Sequence, residues 1–402
     1  MRVATANSFD NTIANLTKRQ AELSTLQDRI STGKRVLRAS DDPVAAVLSE
    51  AAQNRLSRVE VDKRSIESSR TSLTQAESAL GTAGELIQDV RDLLVAAGNG
   101  TYGPNEYKDI AQQIEGLRER LISVANQTDS TGRTLFGGLG GTSKPFVEVY
   151  AAGGSVVQFT GQRGQEATGN TTLPQSFDGE AVWMRVPQGN GTFTLDLNAG
   201  NTGSVRTDIG QVTNPSALTG HEYSIGFADV AGDMEYTVTD VTTGSPVAGQ
   251  TNMPYSNGAT IEFDGQSFQM NGQPADGDTV NLNPVTTPTD IFQVMQDAVV
   301  ALRSGAGAPV TQALGRALTE LDAGHDRVLQ ARSQAGAWLN RADAIEGLLS
   351  DRAVAHKAER SSLEDLDMIQ GISDFQNQQT GLQAALQSYA QVQRLSLFQY
   401  IG

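Results

Sequence analysis

The chain has 402 residues, room for two or three domains, and no cysteine, which excludes disulfides, thiol nucleophiles and thiolate metal sites. Its formal net charge of −16 argues against nucleic acid or an anionic membrane as partner, because both would repel it. No apolar run approaches the roughly 18 residues that span a bilayer, so membrane insertion is not expected. The start, Met1-Arg-Val-Ala-Thr-Ala6, leads into a polar amphipathic pattern instead of the apolar core of a cleaved secretory signal.

A narrow apolar seam opens the chain. Phe9, Leu16, Leu23 and Ile30 stand seven apart, with Ile13 and Leu26 beside them. That is coiled-coil spacing, not the broader face of a helix docked on a globular core. The seam breaks after Ile30, where Gly33 is a natural helix stop. Ser40, Asp41 or Asp42 then caps a new helix that accepts Pro43 in its first turn. Gly33-Lys34 does not complete a phosphate-binding loop, which needs Gly at position 28 and Ser or Thr at 35, where Asp28 and Arg35 stand.

The longest regular pattern runs from Val44 to about Ala97. Val59, Ile66, Leu73, Leu80, Ile87 and Leu94 are seven apart, and Ala76, Ala83 and Val90 fill alternate positions. Such a helix is roughly 80 Å long, against about 55 Å for the diameter of a compact globule of this chain length. The expected molecule is therefore a rod. Asn99 to Pro104 forms a turn, and Tyr107, Ile110, Ile114, Leu117, Leu121 and Val124 make a third helix that folds back.

Composition changes after Gly141. Between there and Thr289 stand 15 Asp or Glu against 4 Lys or Arg, which puts most of the net charge in this segment. Short alternating runs predict strands at Val156–Thr160, Phe193–Leu197, Tyr223–Phe227 and Met234–Val238. Ile261 to Phe268 contains Asp264-Gly265, a two-residue hairpin loop that sets Ile261 opposite Phe268. This is an antiparallel β module with an acidic, solvated surface.

Helical signal resumes at Asp290, with Ile291, Val294, Ala298 and Leu302 on one face before the break at Gly305-Ala-Gly307. A seam then runs from Val310 through Leu314, Ala317, Leu321, Val328, Ala331, Ala335, Trp338, Ala342, Ile345 and Leu349. It weakens where Arg352, His356 and Glu359 take core positions. From Leu363 to Gly402 a second terminal seam has Phe375, Leu382 and Tyr389 seven apart, Ala385 and Val392 between them, and Ile372 and Leu386 widening it. It ends apolar, in Leu395-Ser-Leu-Phe-Gln-Tyr-Ile401. The two terminal seams pair with each other or with copies on neighbouring chains. Isolated helices of about 20–25 residues are marginal in water, so both are expected to be ordered chiefly in an assembly.

These elements predict an α+β fold: an elongated rod of long antiparallel coiled-coil-like helices from both chain ends, with an inserted antiparallel β domain. The expected boundaries are 1–32 and 363–402 for the terminal segments, and 33–140 with 290–362 for the helical rod. Residues 141–180 extend the rod as β structure, and 181–289 form a β-rich outer domain.

No catalytic constellation is present. His221, His325 and His356 lie in different segments without ligand spacing, and no metalloprotease, hydrolase or dinucleotide-binding fingerprint is complete. Asp276-Gly-Asp278 lacks the remaining ligands of a calcium loop and reads as a turn. Asp41-Asp42 reads as a cap, and Trp338 among its alanines as core. No enzyme, cofactor or metal is inferred.

Several stretches resemble the flagellin and hook-associated protein family. They are Arg2-Val-Ala-Thr5, Ile30-Ser-Thr-Gly-Lys-Arg-Val36, Ser40-Asp-Asp-Pro-Val-Ala-Ala46 and Asn126-Gln-Thr-Asp-Ser-Thr-Gly-Arg-Thr-Leu-Phe-Gly-Gly138. Near the other end are Gln378-Gln-Thr-Gly-Leu-Gln-Ala-Ala-Leu-Gln-Ser-Tyr389 and Leu395-Ser-Leu-Phe-Gln399. The resemblance covers roughly 1–140 and 290–402 and implies a structural subunit of the bacterial flagellum, exported unfolded by the flagellar type III apparatus with an uncleaved N-terminus. It implies as partners copies of the chain in a ring, an adjacent hook-associated junction protein, flagellin and a cytosolic export chaperone. The implied assembly and chaperone interface is Phe9, Ile13, Leu16, Leu23, Ile30, Phe375, Leu382, Tyr389, Val392, Leu395, Leu397 and Phe398. Flagellin itself usually carries Ala-Ala-Gly-like residues where this chain has Pro43-Val44, and closes with Leu-Leu-Arg where it has Leu397-Phe-Gln399. Both departures favour members at the junction of hook and filament. A filament subunit, and a secreted coiled-coil adhesin or effector, are the alternatives.

Overall fold

The computed structural model describes residues 2–99, 102–140, 143–151, 154–165, 172–305 and 307–401, with side chains described for all of these except 2–9, 151 and 392–401. The chain divides into two compact units, residues 1–65 with 344–402, and residues 66–343. Its elements in order are α1 (Arg2–Thr32), α2 (Pro43–Ala97) and α3 (Pro104–Ala125), then the strands β1 (Phe146–Ala151) and β2 (Gly154–Phe159) and a short α4 (Gly179–Trp183). Strands follow as β3 (Phe193–Leu197), β4 (Arg206–Thr207), β5 (Gln211–Val212), β6 (Tyr223–Val230), β7 (Asp233–Asp240) and β8 (Ser245–Pro246). The set closes with β9 (Met253–Pro254), β10 (Ala259–Phe263), β11 (Gln266–Asn271), β12 (Thr279–Pro284), α5 (Ile291–Ser304), α6 (Ala308–Glu364) and α7 (Met368–Ile401).

In the first unit, α1 and α7 pack on each other, and the start of α2 pairs with the end of α6. Ser49 donates to Glu364, Arg55 pairs with Glu359 and Lys63 donates to Ser350, so each step forward on α2 meets a step backward on α6. The apolar seam here is thin. Ala45, Ala52 and Val59 are buried on α2, whereas the last fully buried side chain on α6 is Leu349. Beyond it Arg352 is exposed and His356 half-buried, as the weakening of the sequence pattern predicts.

The second unit joins a helical core to a β module. Ile66, Leu73, Leu80, Ile87 and Leu94 of α2 are all buried, with Leu314, Leu321, Val328, Ala335 and Ala342 of α6. On α3, Tyr107, Ile110, Ile114, Leu121 and Val124 are buried too. Heptad spacing thus selects the buried face correctly on each helix. Against this lie α5 and an aromatic cluster in which Trp183 stands edge-on to Phe136 at 5.3 Å and Phe177 lies 4.9 Å from Trp338.

The β module is antiparallel throughout. A six-stranded sheet runs β3-β12-β6-β7-β8, with β9 also paired to β7. A four-stranded sheet runs β10-β11-β4, with β5 also on β11. Ile261 faces Phe268 across the β10–β11 hairpin, whose turn puts Asp264 and Gly265 at φ 46° and 76°. The two sheets share one apolar core, in which Phe193, Tyr223, Ile225, Val238, Ile261, Phe268, Val280 and Leu282 are buried. The tyrosine hydroxyl of Tyr223, on β6, donates to Asp264 in that hairpin turn at 2.6 Å.

Candidate functional site

The residues expected to mediate assembly fall on α1 and α7, and the structure pairs those two helices within one chain. Leu16, Leu23 and Ile30 of α1 and Phe375, Leu382 and Tyr389 of α7 are half-buried, as are Leu26 and Ala385. Ile13 is exposed at 48 %, and so are Ile372 at 45 % and Leu386 at 50 %. Pairing two helices therefore covers only part of the apolar stripe. Phe9, Val392, Leu395, Leu397 and Phe398 lie outside the residues whose side chains are described.

The packing between the helices is loose. A groove of about 680 Å³ is lined by Asn15, Leu16, Arg19, Ala385, Ser388 and Tyr389, and another of about 710 Å³ by Glu22, Thr25, Leu26, Arg29, Asp374 and Gln378. Between the grooves the helices approach closely at Gly381, where a Cβ would lie 2.9 Å from the Arg19 guanidinium. Buried Arg29 Nε and Gln378 Oε1 have no hydrogen-bond partner among the described residues. Half-covered leucines and orphaned polar atoms together describe a pair of helices that is incomplete as a core.

Both helices are anchored at one crossing. Gly33, at φ 69°, stops α1. Its carbonyl accepts the Leu366 N–H at 2.9 Å, the Arg35 N–H donates to Glu364 O at 2.7 Å, and Lys34 forms an ion pair with the Glu364 carboxylate. Asp41 Oδ2 accepts the N–H groups of Leu37 and Arg38 at 3.1 and 3.0 Å, holding the linker. Asp42 Oδ1 accepts Ala45 N–H at 3.0 Å and so caps α2, as the sequence predicts. The Ala45 N–H and the Arg35 guanidinium hold its carboxyl below the usual aspartate value. Asp367 does the same job for α7, accepting from Ile369 and Gln370 N–H at 3.0 and 3.2 Å.

In the second unit the sequence reading missed a buried cation. Arg118 of α3 is 2 % exposed and donates to Phe292 O at 3.0 Å, Ser155 O at 3.1 Å and Glu148 Oε1 at 2.6 Å. It fastens the β1–β2 hairpin to α3 and α5. Its position, four after Ile114 and three before Leu121, already placed it on the buried face.

Nothing assembles into a catalytic or metal site among the described residues. No group of three or more His, Asp or Glu there is arranged to hold a metal ion. His221 sits on Asp240 at 2.8 Å, His325 beside Gln88 at 3.2 Å and His356 beside Glu359 at 3.4 Å. Asp278 accepts the N–H groups of Thr202, Gly203 and Ala275, and Asp276 that of Asp229, so this pair shapes turns. No described helix is long and apolar enough to cross a membrane.

Comparison with known proteins gives the helical ends a context. The family model for the bacterial flagellin N-terminal helical region matches residues 3–140, and that for the C-terminal helical region matches 313–401. Flagellar hook-associated protein 3 of Escherichia coli (strain K12) is 26 % identical over 409 residues, covering 99 % of both chains. Polar flagellin F of Vibrio parahaemolyticus is 29 % identical, but over 36 % of this chain and 37 % of its own. The crystal structure of Xanthomonas campestris FlgL in space group C2 superposes with a TM-score of 0.66 at 28 % identity, covering 78 % of this chain and 99 % of that one.

Proposed function

We propose, because the chain belongs to the bacterial flagellin family, that it is a structural subunit of the flagellum acting at the junction between hook and filament. One observation carries the choice within the family. The likeness to hook-associated protein 3 runs the whole length of both chains and includes the β module, whereas the flagellin likeness covers about a third of each. A filament subunit would share its terminal helices with this chain, but not the centre.

On this reading the parts divide the work. Residues 1–32 and 363–402 form an inner layer with neighbouring copies, 33–140 and 290–362 with the 141–180 extension form the surrounding helical layer, and 181–289 face outward. Copies of the chain close a ring that meets a neighbouring hook-associated protein on one side and flagellin on the other. The contact residues are Ile13, Leu16, Leu23, Ile30, Phe375, Leu382 and Tyr389, with Phe9, Val392, Leu395, Leu397 and Phe398 continuing the stripe. A cytosolic chaperone covers the C-terminal seam before export by the flagellar type III route. Partly covered apolar residues support this role, since a seam left half-exposed on one chain is completed by others. The work is structural and invokes no bond-making step.

Deletion of the coding sequence in the source organism tests the reading. Expected are finished hooks without filaments and flagellin shed into the medium as monomer. Filaments of ordinary length on such cells would refute it.

A further inference from the structure

The segment that leaves α3 builds a cleft of about 280 Å³ in the second unit, lined by Arg133, Thr134, Gly138, Gly140, Gln175 and Ser176. Hydrogen bonds fix both of its walls. Asp129 Oδ1 accepts the N–H groups of Thr131 and Arg133 at 2.8 and 2.9 Å, and Thr128 bridges to Thr134. Opposite, the Ser176 hydroxyl donates to the Thr134 and Leu135 carbonyls at 3.1 Å. The Phe177 N–H donates to Leu135 O at 2.8 Å and the Gly138 N–H to Phe177 O at 2.9 Å. The cleft is preorganised.

One polar group is left over inside it. Thr134 is 3 % exposed, and its buried hydroxyl has no hydrogen-bond partner among the described residues. A Cβ on Gly137 would run into that hydroxyl, so glycine there preserves its place. A hydroxyl kept from water and unpaired opposes folding, and a ligand that accepts from it removes that cost. On the rim, the exposed Arg133 guanidinium and the half-buried Gln175 amide have no ion-pair or hydrogen-bond partner among the described residues either.

The neighbouring carboxylates are occupied. Asp129 Oδ2 accepts the Ser72 hydroxyl at 3.0 Å, and Asp178, bridged to Gly137, accepts the N–H groups of Gly164, Glu180 and Ala181. The cleft therefore offers one cation and two neutral donors, and none of its described lining residues is acidic. An oxyanion matches that set, because its lone pairs meet donors only. One guanidinium balances one negative charge, which selects a carboxylate over a doubly charged phosphate. The volume also admits the short carbon chain that carries the carboxylate, beside half-exposed Leu139.

We propose that this cleft binds a carboxylate of amino-acid side-chain size, held by the Arg133 guanidinium, the Thr134 hydroxyl and the Gln175 amide. Small free acids and acidic side chains of another chain present the same group. The site lies inside the second unit and stands whether or not the chain assembles at the hook.

Amide spectra of the isotope-labelled full chain test it, with acetate or, separately, a glutamate capped at both backbone ends replacing chloride at constant ionic strength. Expected are saturable shifts at Arg133, Thr134, Gly138, Gly140, Gln175 and Ser176 with at least one probe. Saturation by acetate assigns the cleft to free acids, and saturation by the capped glutamate alone assigns it to a side chain of another chain. Arg133→Gln and Thr134→Val should each weaken binding about tenfold or more. Both tryptophans, Trp183 and Trp338, lie in the second unit, so their fluorescence during denaturant unfolding of the full chain reads this unit alone. Because Thr134→Val removes a hydroxyl that bonds to nothing in the fold, its midpoint without probe should equal or exceed the parent's. A lowered midpoint would show the hydroxyl already bonded within the fold and overturn the proposal. So would shifts that saturate with neither probe, or that persist undiminished in Arg133→Gln.

Discussion

The Leu366 N–H donates to the Gly33 carbonyl at 2.9 Å, which joins the chain leaving α1 to the chain entering α7. Gly33 makes the joint possible because it holds φ at 69°, where L side chains are strained. A Cβ there would meet nothing within 4 Å, so the cost of substitution is purely conformational. Gly33→Val should cost about 1–2 kcal/mol or more, and Gly33→Asn less. Amide hydrogen exchange in α1 and α7 should then accelerate roughly 5–30-fold in the valine variant, with second-unit amides unchanged. Equal rates in both variants would mean the crossing does not hold the terminal helices.

Leu80 and Leu382 occupy the same kind of heptad position but differ in burial. Leu80 is fully buried in the second unit, and Leu382 is half-covered beside α1. Leu80→Ala should lower the stability of the second unit by about 2–5 kcal/mol. Leu80→Asp should abolish its cooperative tryptophan transition. Leu382→Asp with Tyr389→Asp should leave that transition in place while abolishing chaperone binding and incorporation. Normal incorporation of the double variant would remove α7 from the assembly interface.

Arg118 should be intolerant of both smaller and neutral replacements. Arg118→Met leaves the Glu148 carboxylate without its cation and should cost about 3–5 kcal/mol. Arg118→Lys supplies one point charge where three acceptors are arranged around a planar fork, and should recover little of that loss. Near-parental unfolding midpoints in the lysine variant would show that charge alone suffices.

Acid sensitivity follows from two carboxyls that their hydrogen bonds hold below the ordinary value. Burial raises Glu148, but the bonds with Ser155 and Arg118 outweigh it and leave the carboxyl below its ordinary 4.5. Burial likewise raises Asp129, but bonds from Thr131, Arg133 and Ser72 leave it below 3.8. Groups with depressed folded values give stability that is present above the unfolded value and lost as pH falls through the folded one. The second unit should therefore begin to weaken below about pH 4.5. Its tryptophan-detected stability should fall as pH drops from about 4.5 toward 3. A plateau extending to pH 3 would mean that neither carboxyl matters.

Tyr223 tests how the β module is joined. Burial and the Asp264 carboxylate push its hydroxyl up to about 12. Tyr223→Phe leaves Asp264 without that donor and should cost about 1–3 kcal/mol, read as a lower unfolding midpoint. An unchanged midpoint would mean that water replaces the hydroxyl at no cost.

The helices were legible because their signal is local and repeated. One face selected at Ile66 predicts Leu73, Leu80 and Ile87, and all are buried. The β10–β11 hairpin was legible for the same reason, since Asp264-Gly265 fixes the register through its own turn. What escaped depends on distant partners. β4, β5, β8 and β9 are two residues each, too short to carry any alternation, and exist only through pairing with β11 or β7. Trp183 sits in a five-residue helix with no period to read. Arg118 was legible by position and overlooked because its residue type suggests a surface. On the terminal helices, spacing identified the stripe but left its partner open, and in the single chain α1 and α7 take each other.

Seeded assembly followed by electron microscopy distinguishes a junction subunit from a filament subunit. Purified chain is mixed with isolated hook ends that bear the preceding junction protein, and separately with filament seeds. A junction subunit forms a short cap on the hook that does not lengthen and then accepts flagellin. Long filaments growing from either seed would make the chain a filament subunit and contradict the junction assignment.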